Sequence, residues 1–239
     1  MRAGRLLLAG GAVAAAVQAA PLATFLPATK RFLPSLNGAG TPGHVALTFD
    51  DGPDEQSTPR FLAALAQLDV KATFFLLGMM CERYPSMAAR IVEEGHEVAV
   101  HSWDHRNHLR HLPGSRTRDQ LARTAEIVEA QSGVRPRWFR PPYGALTTAG
   151  QLAARDLGLT TVLWTAWGQD WQRTSTPRTV LAEVLSGRVD GGTVLLHDSD
   201  CTSEPGSWRA TLGALPGLVD WCRSRDLQVG TVGAHGLAA

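Results

Sequence analysis

The feature that most constrains this chain is the alternation of short apolar runs with amphipathic stretches, sustained from residue 44 to residue 231. Runs such as "ATFFLL", "EVAV" and "TVLL" are continuously apolar. Strands of that kind are buried on both faces, as in a parallel sheet covered by helices. Between them, "LAALAQL" and "LARTAEIVEA" place their apolar residues at helical spacing. Such alternation argues a parallel α/β fold. The pattern predicts strands at 44–49, 72–76, 96–100, 137–139, 160–165, 193–196 and 227–231, with helices near 58–68, 84–94, 117–132, 147–157, 177–187 and 209–224. Seven strands and six helices suggest a closed or nearly closed barrel, with a doubly wound open sheet as the competitor. Ser57 is placed to cap the helix that holds Pro59 in its first turn. Gly95 and Gly133 follow helical segments where a left-handed terminal residue is wanted. With 239 residues, 44% of them hydrophobic, the chain can bury one large core, so a single domain from 44 to 239 suffices.

The first thirty residues differ. Arg2 and Arg5 precede an uncharged run, Leu6 to Thr29, with "LLLAGGAVAAAVQAA" at its centre. A basic start followed by an apolar, small-residue middle reads as an export signal, with cleavage near Ala19; left uncut, it would be a signal anchor. Residues 31–43, rich in Pro, Gly and small polar residues, read as a linker. The expected location is therefore secreted or in the cell envelope, with membrane contact only through the uncut N-terminal segment. Without Arg2, Arg5 and Lys30 the remainder carries 20 basic and 22 acidic residues, net −2. Neither that balance nor the tail suggests a nucleic acid as partner. Three cysteines, Cys81, Cys201 and Cys222, include no C-x-x-C pair, which argues against a thiolate zinc site. In an exported protein one disulfide is an option, and Cys201 with Cys222 is the pair favoured.

The polar residues just past the strands carry the chemistry. Asp50 and Asp51 follow the first strand, His101 follows "EVAV", Arg140 follows "RWF", Asp170 comes shortly after "TTVLW" and His197 follows "TVLL". In a parallel barrel these positions converge on the face built from strand C-terminal ends. In "HSWDH", His101 and His105 are four apart, so one helical turn would put both imidazoles on one side. His108 and His111 nearby read as surface residues. Two His with one carboxylate form a metal set that leaves positions open for water and substrate. Zinc is the default ion for neutral imidazoles, with iron, cobalt or nickel able to use the same ligands. One of the paired Asp residues can be the third ligand and the other a general base. His197 can be a general acid if a carboxylate holds its ring, and Asp170 is the candidate. In "FRPPYG", two prolines fix a turn that can aim Arg140 at a carboxylate or a main-chain N–H at a developing oxyanion. Trp164, Trp167 and Trp171 lie within eight residues; their rings suit sugar faces and core packing equally.

Taken together, "TFDDGP", "HSWDH", "RPPYG", "WGQDW" and "LLHD", in that order, resemble the blocks of the polysaccharide deacetylases of carbohydrate esterase family four, also called NodB-homology domains. The resemblance covers about residues 44–232. It implies a distorted (β/α) barrel and metal-dependent removal of acetyl groups from an acetylated polysaccharide, such as peptidoglycan or chitin-like oligomers. It also implies roles: Asp50 as base; Asp51, His101 and His105 as ligands of one divalent metal; Arg140 paired with the base; the Tyr143 N–H at the oxyanion. His197 would be the acid, tuned by Asp170, with Trp171 and Leu195 as walls of an acetyl-methyl pocket. One position departs: Trp167 stands where the family commonly has Asp, which alters local hydrogen bonding or substrate subsites. The alternatives are an O-acetyl ester hydrolase on xylan-like glycan and a glycan-binding protein with a lapsed site.

Overall fold

The computed structural model of the chain describes residues 16–21, 26, 32–110 and 115–237. Apart from 16–21 and 26, the leader read at 1–30 falls outside these residues, as does His111. Among the described residues no helix is long and apolar enough to cross a membrane. Among the described residues from 44 onward, eight strands and seven α-helices follow one another: β1 (His44–Asp50), α1 (Thr58–Gln67), β2 (Thr73–Leu77), α2 (Gly78–Arg83), α3 (Met87–Glu93), β3 (Glu97–Ser102), α4 (Ser115–Ser132), β4 (Trp138–Phe139), α5 (Thr148–Asp156), β5 (Thr160–Thr161), β6 (Ala166–Trp167), α6 (Pro177–Ser186), β7 (Thr193–His197), α7 (Trp208–Arg223) and β8 (Gln228–Gly230). All pairings are parallel, in the order β5-β4-β3-β2-β1-β7-β6, with β8 alongside the start of β1.

The sheet curls into an incomplete barrel rather than lying open as a doubly wound layer. Arg140, just after β4, bonds to Thr48 and Asp50 on β1. In a flat sheet those strands would be about 14 Å apart, far beyond the reach of a guanidinium. Alternation along each strand then divides the core. Leu47, Phe49, Phe74, Leu76, Val98, Val194 and Leu196 turn outward under the helices. Ala46, Phe75, Ala99, Trp138 and Val162 turn inward. Both faces are covered, which is why the strands are continuously apolar.

The barrel does not close because the strand predicted at 160–165 is two. Val162 N–H donates to the Phe139 carbonyl on one side, and Thr165 N–H to the Thr193 carbonyl on the other. Between them the Val162 and Leu163 carbonyls accept from Arg140 Nε and Nη2, at 3.2 and 3.1 Å. Residues read as linker enter this seam: the Leu36 carbonyl accepts from Leu163 N–H, and the Gly38 carbonyl from Thr193 Oγ1. Two smaller expectations also change. Ser57 makes no side-chain cap; Asp54 Oδ1 instead accepts from the N–H groups of Gln56 and Ser57. Cys201 and Cys222 are free thiols. Cys201 sits at the strand-end rim, its Sγ against the Asp51 carbonyl, whereas Cys222 lies in the last turn of α7, about 20 Å along that helix from its start at the rim. Gly95 and Gly133 do take the left-handed conformation, at φ +82° and +71°.

Candidate active site

Strand parity aims the first residues of the site. The alternation that turns Leu47 and Phe49 outward turns Thr48 and Asp50 inward; Ala99 and His101, and Leu195 and His197, follow the same rule. Asp51 is one residue on and would point away. It adopts φ +75° instead, a left-handed conformation that Asp tolerates better than most residues, and this returns its carboxylate to the side of Asp50. His105 and Tyr143 also have positive φ, 55° and 59°. The two imidazoles therefore meet through a strand end and a left-handed turn, not through the single helical turn that their spacing suggested. Three strained non-glycine residues around one cavity are the pattern of a site whose geometry is imposed by its surroundings.

Asp51, His101 and His105 form a group whose ligand atoms all lie within 4.8 Å of one another. Asp51 Oδ1 is 3.4 Å from His101 Nε2 and 3.3 Å from His105 Nε2. It is fully buried and has no hydrogen-bond partner, an arrangement that a cation would satisfy. Hydrogen bonds from neighbouring residues orient these atoms. His101 Nδ1 donates to the Arg140 carbonyl at 2.8 Å, leaving the Nε2 lone pair to face Asp51. Thr202 Oγ1 donates to Asp51 Oδ2. Burial outweighs the pull of Asp51 and lowers the His105 imidazole to about 4, so it is neutral at neutral pH. Burial pushes the Asp51 carboxyl upward, but the contact with His101 and the neighbouring imidazoles of His105 and His197 outweigh it and hold the group well below the carboxylate range. One neutral nitrogen donor and one ionised oxygen beside His101 are what a divalent metal requires.

Beside this group lies Asp50, 2% exposed, whose Oδ1 accepts from Arg140 Nη1 at 2.7 Å. Arg140 is wholly buried, and burial depresses its guanidinium against the support of Asp50. Asp50 Oδ2 stands 3.7 Å from His101 Nε2, close to the metal-ligand group. On the neighbouring strand β7, in register with Asp50, His197 Nδ1 donates to Asp170 Oδ1 at 2.7 Å. Asp170 Oδ2 accepts from the His197 N–H and from Thr211 Oγ1. Burial opposes the charged ring, but Asp170, with Asp51 and Asp50 further off, raises His197 to about 10. These groups share a cavity of about 270 Å³ with Tyr143, Trp164, Trp167, Trp171 and Leu195. The three indoles form a run, Trp164 to Trp167 at 6.0 Å and Trp167 to Trp171 at 5.2 Å, ending edge-on to His197. All three therefore line the pocket. All ten residues singled out for the site are brought together around it.

The polysaccharide deacetylase family matches residues 37–162, just over half of the chain. The chain belongs to the polysaccharide deacetylase family. The peptidoglycan-N-acetylglucosamine deacetylase PgdA of Listeria monocytogenes is 39% identical over 175 residues, 71% of this chain and 36% of that protein. A peptidoglycan-N-acetylglucosamine deacetylase of Bacillus cereus is 35% identical over 206 residues, 86% of this chain and 70% of that protein. The structure of the Bc1960 peptidoglycan N-acetylglucosamine deacetylase superposes with a TM-score of 0.76 at 30% identity, over 84% of this chain and 92% of that one. The chain thus spans about a third of the Listeria relative and most of the Bc1960 chain.

Within this family frame, sequence reasoning missed the residues that hold the named ones. Thr48, Thr202 and Thr211 each bind a site side chain; Thr48 opens "TFDDGP" with no role assigned to it, and the other two belong to no motif. The sequence suggests a surface position for His108. It is fully buried, with Nε2 2.9 Å from Ser102 Oγ and its ring stacked on Phe139. The strand end that carries Ser102 beside His101 draws it in.

Proposed function

We propose that this protein is an exported, metal-dependent N-deacetylase of an acetylated cell-envelope polysaccharide, with peptidoglycan or a chitin-like oligomer as substrate. The observation that carries the reading is that two proton carriers, Asp50 and His197, in register on the neighbouring strands β1 and β7, share one cavity with the Asp51, His101 and His105 group. Zinc, cobalt or nickel fits those ligands, and when bound would polarise the acetyl carbonyl and acidify water at that point. Asp50 takes the proton of the attacking water on Oδ2, since Arg140 occupies Oδ1. Arg140 keeps this carboxylate fixed in position. The Tyr143 N–H, presented by the left-handed turn at φ 59°, donates to the acetyl oxygen as negative charge develops there. His197 is charged at neutral pH and gives its proton to the leaving nitrogen, with Asp170 stabilising the cation throughout. Trp171 and Leu195 enclose the acetyl methyl group, and Trp164 and Trp167 extend the wall toward the sugar.

The test is acetate release by the purified chain after chelation and re-addition of zinc or cobalt, on acetylated chito-oligomer, peptidoglycan and acetylxylan. Asp50→Asn should abolish release while metal stays bound. Near-normal release by that variant would overturn the base assignment. Release from acetylxylan alone would make the enzyme an ester hydrolase. Saturable glycan binding with no release from any substrate would make it a binding protein.

A further inference from the structure

The catalytic cavity opens into a second, wider cleft of about 910 Å³, and His105, Tyr143 and Thr202 line both. A polymer with an acetyl group beside His105 can continue over Tyr143 into this cleft. Its lining includes three arginines, Arg106, Arg110 and Arg116, against a single carboxylate, Asp104. Asp104 is already engaged: Oδ2 is 3.3 Å from Arg106 Nε, and Oδ1 accepts from Arg106 N–H and Gln120 Nε2. Arg110 and Arg116 make no ion pair among the described residues. Arg116 also sits in the first turn of α4, an 18-residue helix whose positive end adds to the same field. The chain as a whole is nearly balanced, 23 basic against 22 acidic residues. A local surplus of two fixed cations along the exit of the active site is therefore not a reflection of general basicity.

We infer that this cleft is a subsite for carboxylates on the substrate, built by Arg110 and Arg116, and that the enzyme prefers an anionic, carboxylate-bearing glycan over a neutral one. The inference rests on the deacetylase reading above and narrows its substrate. Guanidinium forks match carboxylates bidentately and keep their charge at any working pH. A neutral chito-oligomer leaves them unused. Carboxylates on a glycan come from two sources, an acid ether on the adjacent sugar or an attached peptide, and both reach a cleft of this width.

The experiment compares metal-loaded full chain on three soluble substrates of equal length: a neutral acetylated chito-oligomer, a glycan strand bearing sugar-linked carboxylates only, and the same strand with its peptides. The readout is the ratio of kcat/KM on each anionic substrate to that on the neutral one. Arg110→Gln and Arg116→Gln should each lower the ratio about two- to fivefold, as for exposed charge-assisted contacts, and the double variant more. The ratio should also fall with added salt in the wild type, and Arg110→Lys with Arg116→Lys should restore part of it. A drop on the peptide-free strand assigns the sugar-linked group; a drop only with peptides assigns the peptide. A ratio unchanged in the double variant overturns the inference, as does a wild-type preference for the neutral oligomer. Binding of the same strands to Asp50→Asn protein, measured by calorimetry, is the second readout. If no substrate releases acetate, the deacetylase reading fails while this binding still decides the subsite: weaker binding in the Arg110→Gln and Arg116→Gln background supports it, equal binding overturns it.

Discussion

Arg140→Met is the sharpest test of how the barrel interior is held. Arg140 is wholly buried and makes four contacts: Asp50 Oδ1 at 2.7 Å, Thr48 Oγ1 at 2.8 Å and the Val162 and Leu163 carbonyls. Methionine fills similar length but donates nothing, so a carboxylate only 2% exposed is left without its cation. Breaking a buried pair on one side costs about 3–5 kcal/mol, because the surviving charge remains desolvated. For a chain of this size that corresponds to a fall in Tm of roughly 6–20 °C. The seam between β5 and β6 loses its donors as well, so the value should lie toward the upper end. Asp50→Asn alone is also destabilising, since it strands the guanidinium. The double variant removes both charges and should cost less than the sum of the singles by about 2–3 kcal/mol. Urea denaturation of the four proteins in chelator, which removes any metal contribution, measures each term. A loss below about 1 kcal/mol for Arg140→Met, or simple additivity in the double variant, would refute the view that this pair is a coupled, dry element of the core.

Two further outcomes follow from the site. Asp170→Asn should bring His197 down from about 10 toward its ordinary value, seen by NMR titration of the metal-free protein. The pair contributes stability that is fully present below the unfolded imidazole pKa of about 6.5 and is lost as pH rises through about 10. The wild type should therefore lose stability relative to Asp170→Asn across that window, and parallel stability curves would refute it. Thr202→Val removes the donor to Asp51 Oδ2 and should weaken zinc or cobalt binding about 10- to 100-fold in a chelator competition; a change within about twofold would show that Thr202 does not orient the carboxylate.

Much of this protein could be read from local patterns. Continuously apolar runs identify strands covered on both faces, and every predicted strand has a counterpart, although 160–165 divides into two. The residues that follow the strands, Asp50, Asp51, His101, Arg140, Asp170 and His197, gather on one rim because parallel strands all end there. What escaped the sequence depends on partners far along the chain. The break at 162–165 arises because Arg140, more than twenty residues earlier, takes the Val162 and Leu163 carbonyls that a ladder would need. The short helix α2, Gly78–Arg83, carries no periodic signal long enough to recognise. His105 joins His101 through a left-handed turn, which no side-chain spacing announces.

The supports of the site are the clearest case. Thr202 reaches Asp51 across 151 residues of sequence, Arg140 reaches Thr48 across 92, and Thr211 reaches Asp170 across 41. A threonine in isolation carries no sign of such a contact. By itself the sequence determined which segments are strands, which end of them bears the chemistry and which residue types stand there. Only the tertiary structure decided which atom of each carboxylate is held and which is free, which way the imidazoles face and that three tryptophans line the pocket. Periodicity is a local property of the chain, whereas the placement of an atom to within hydrogen-bonding distance depends on how distant segments pack.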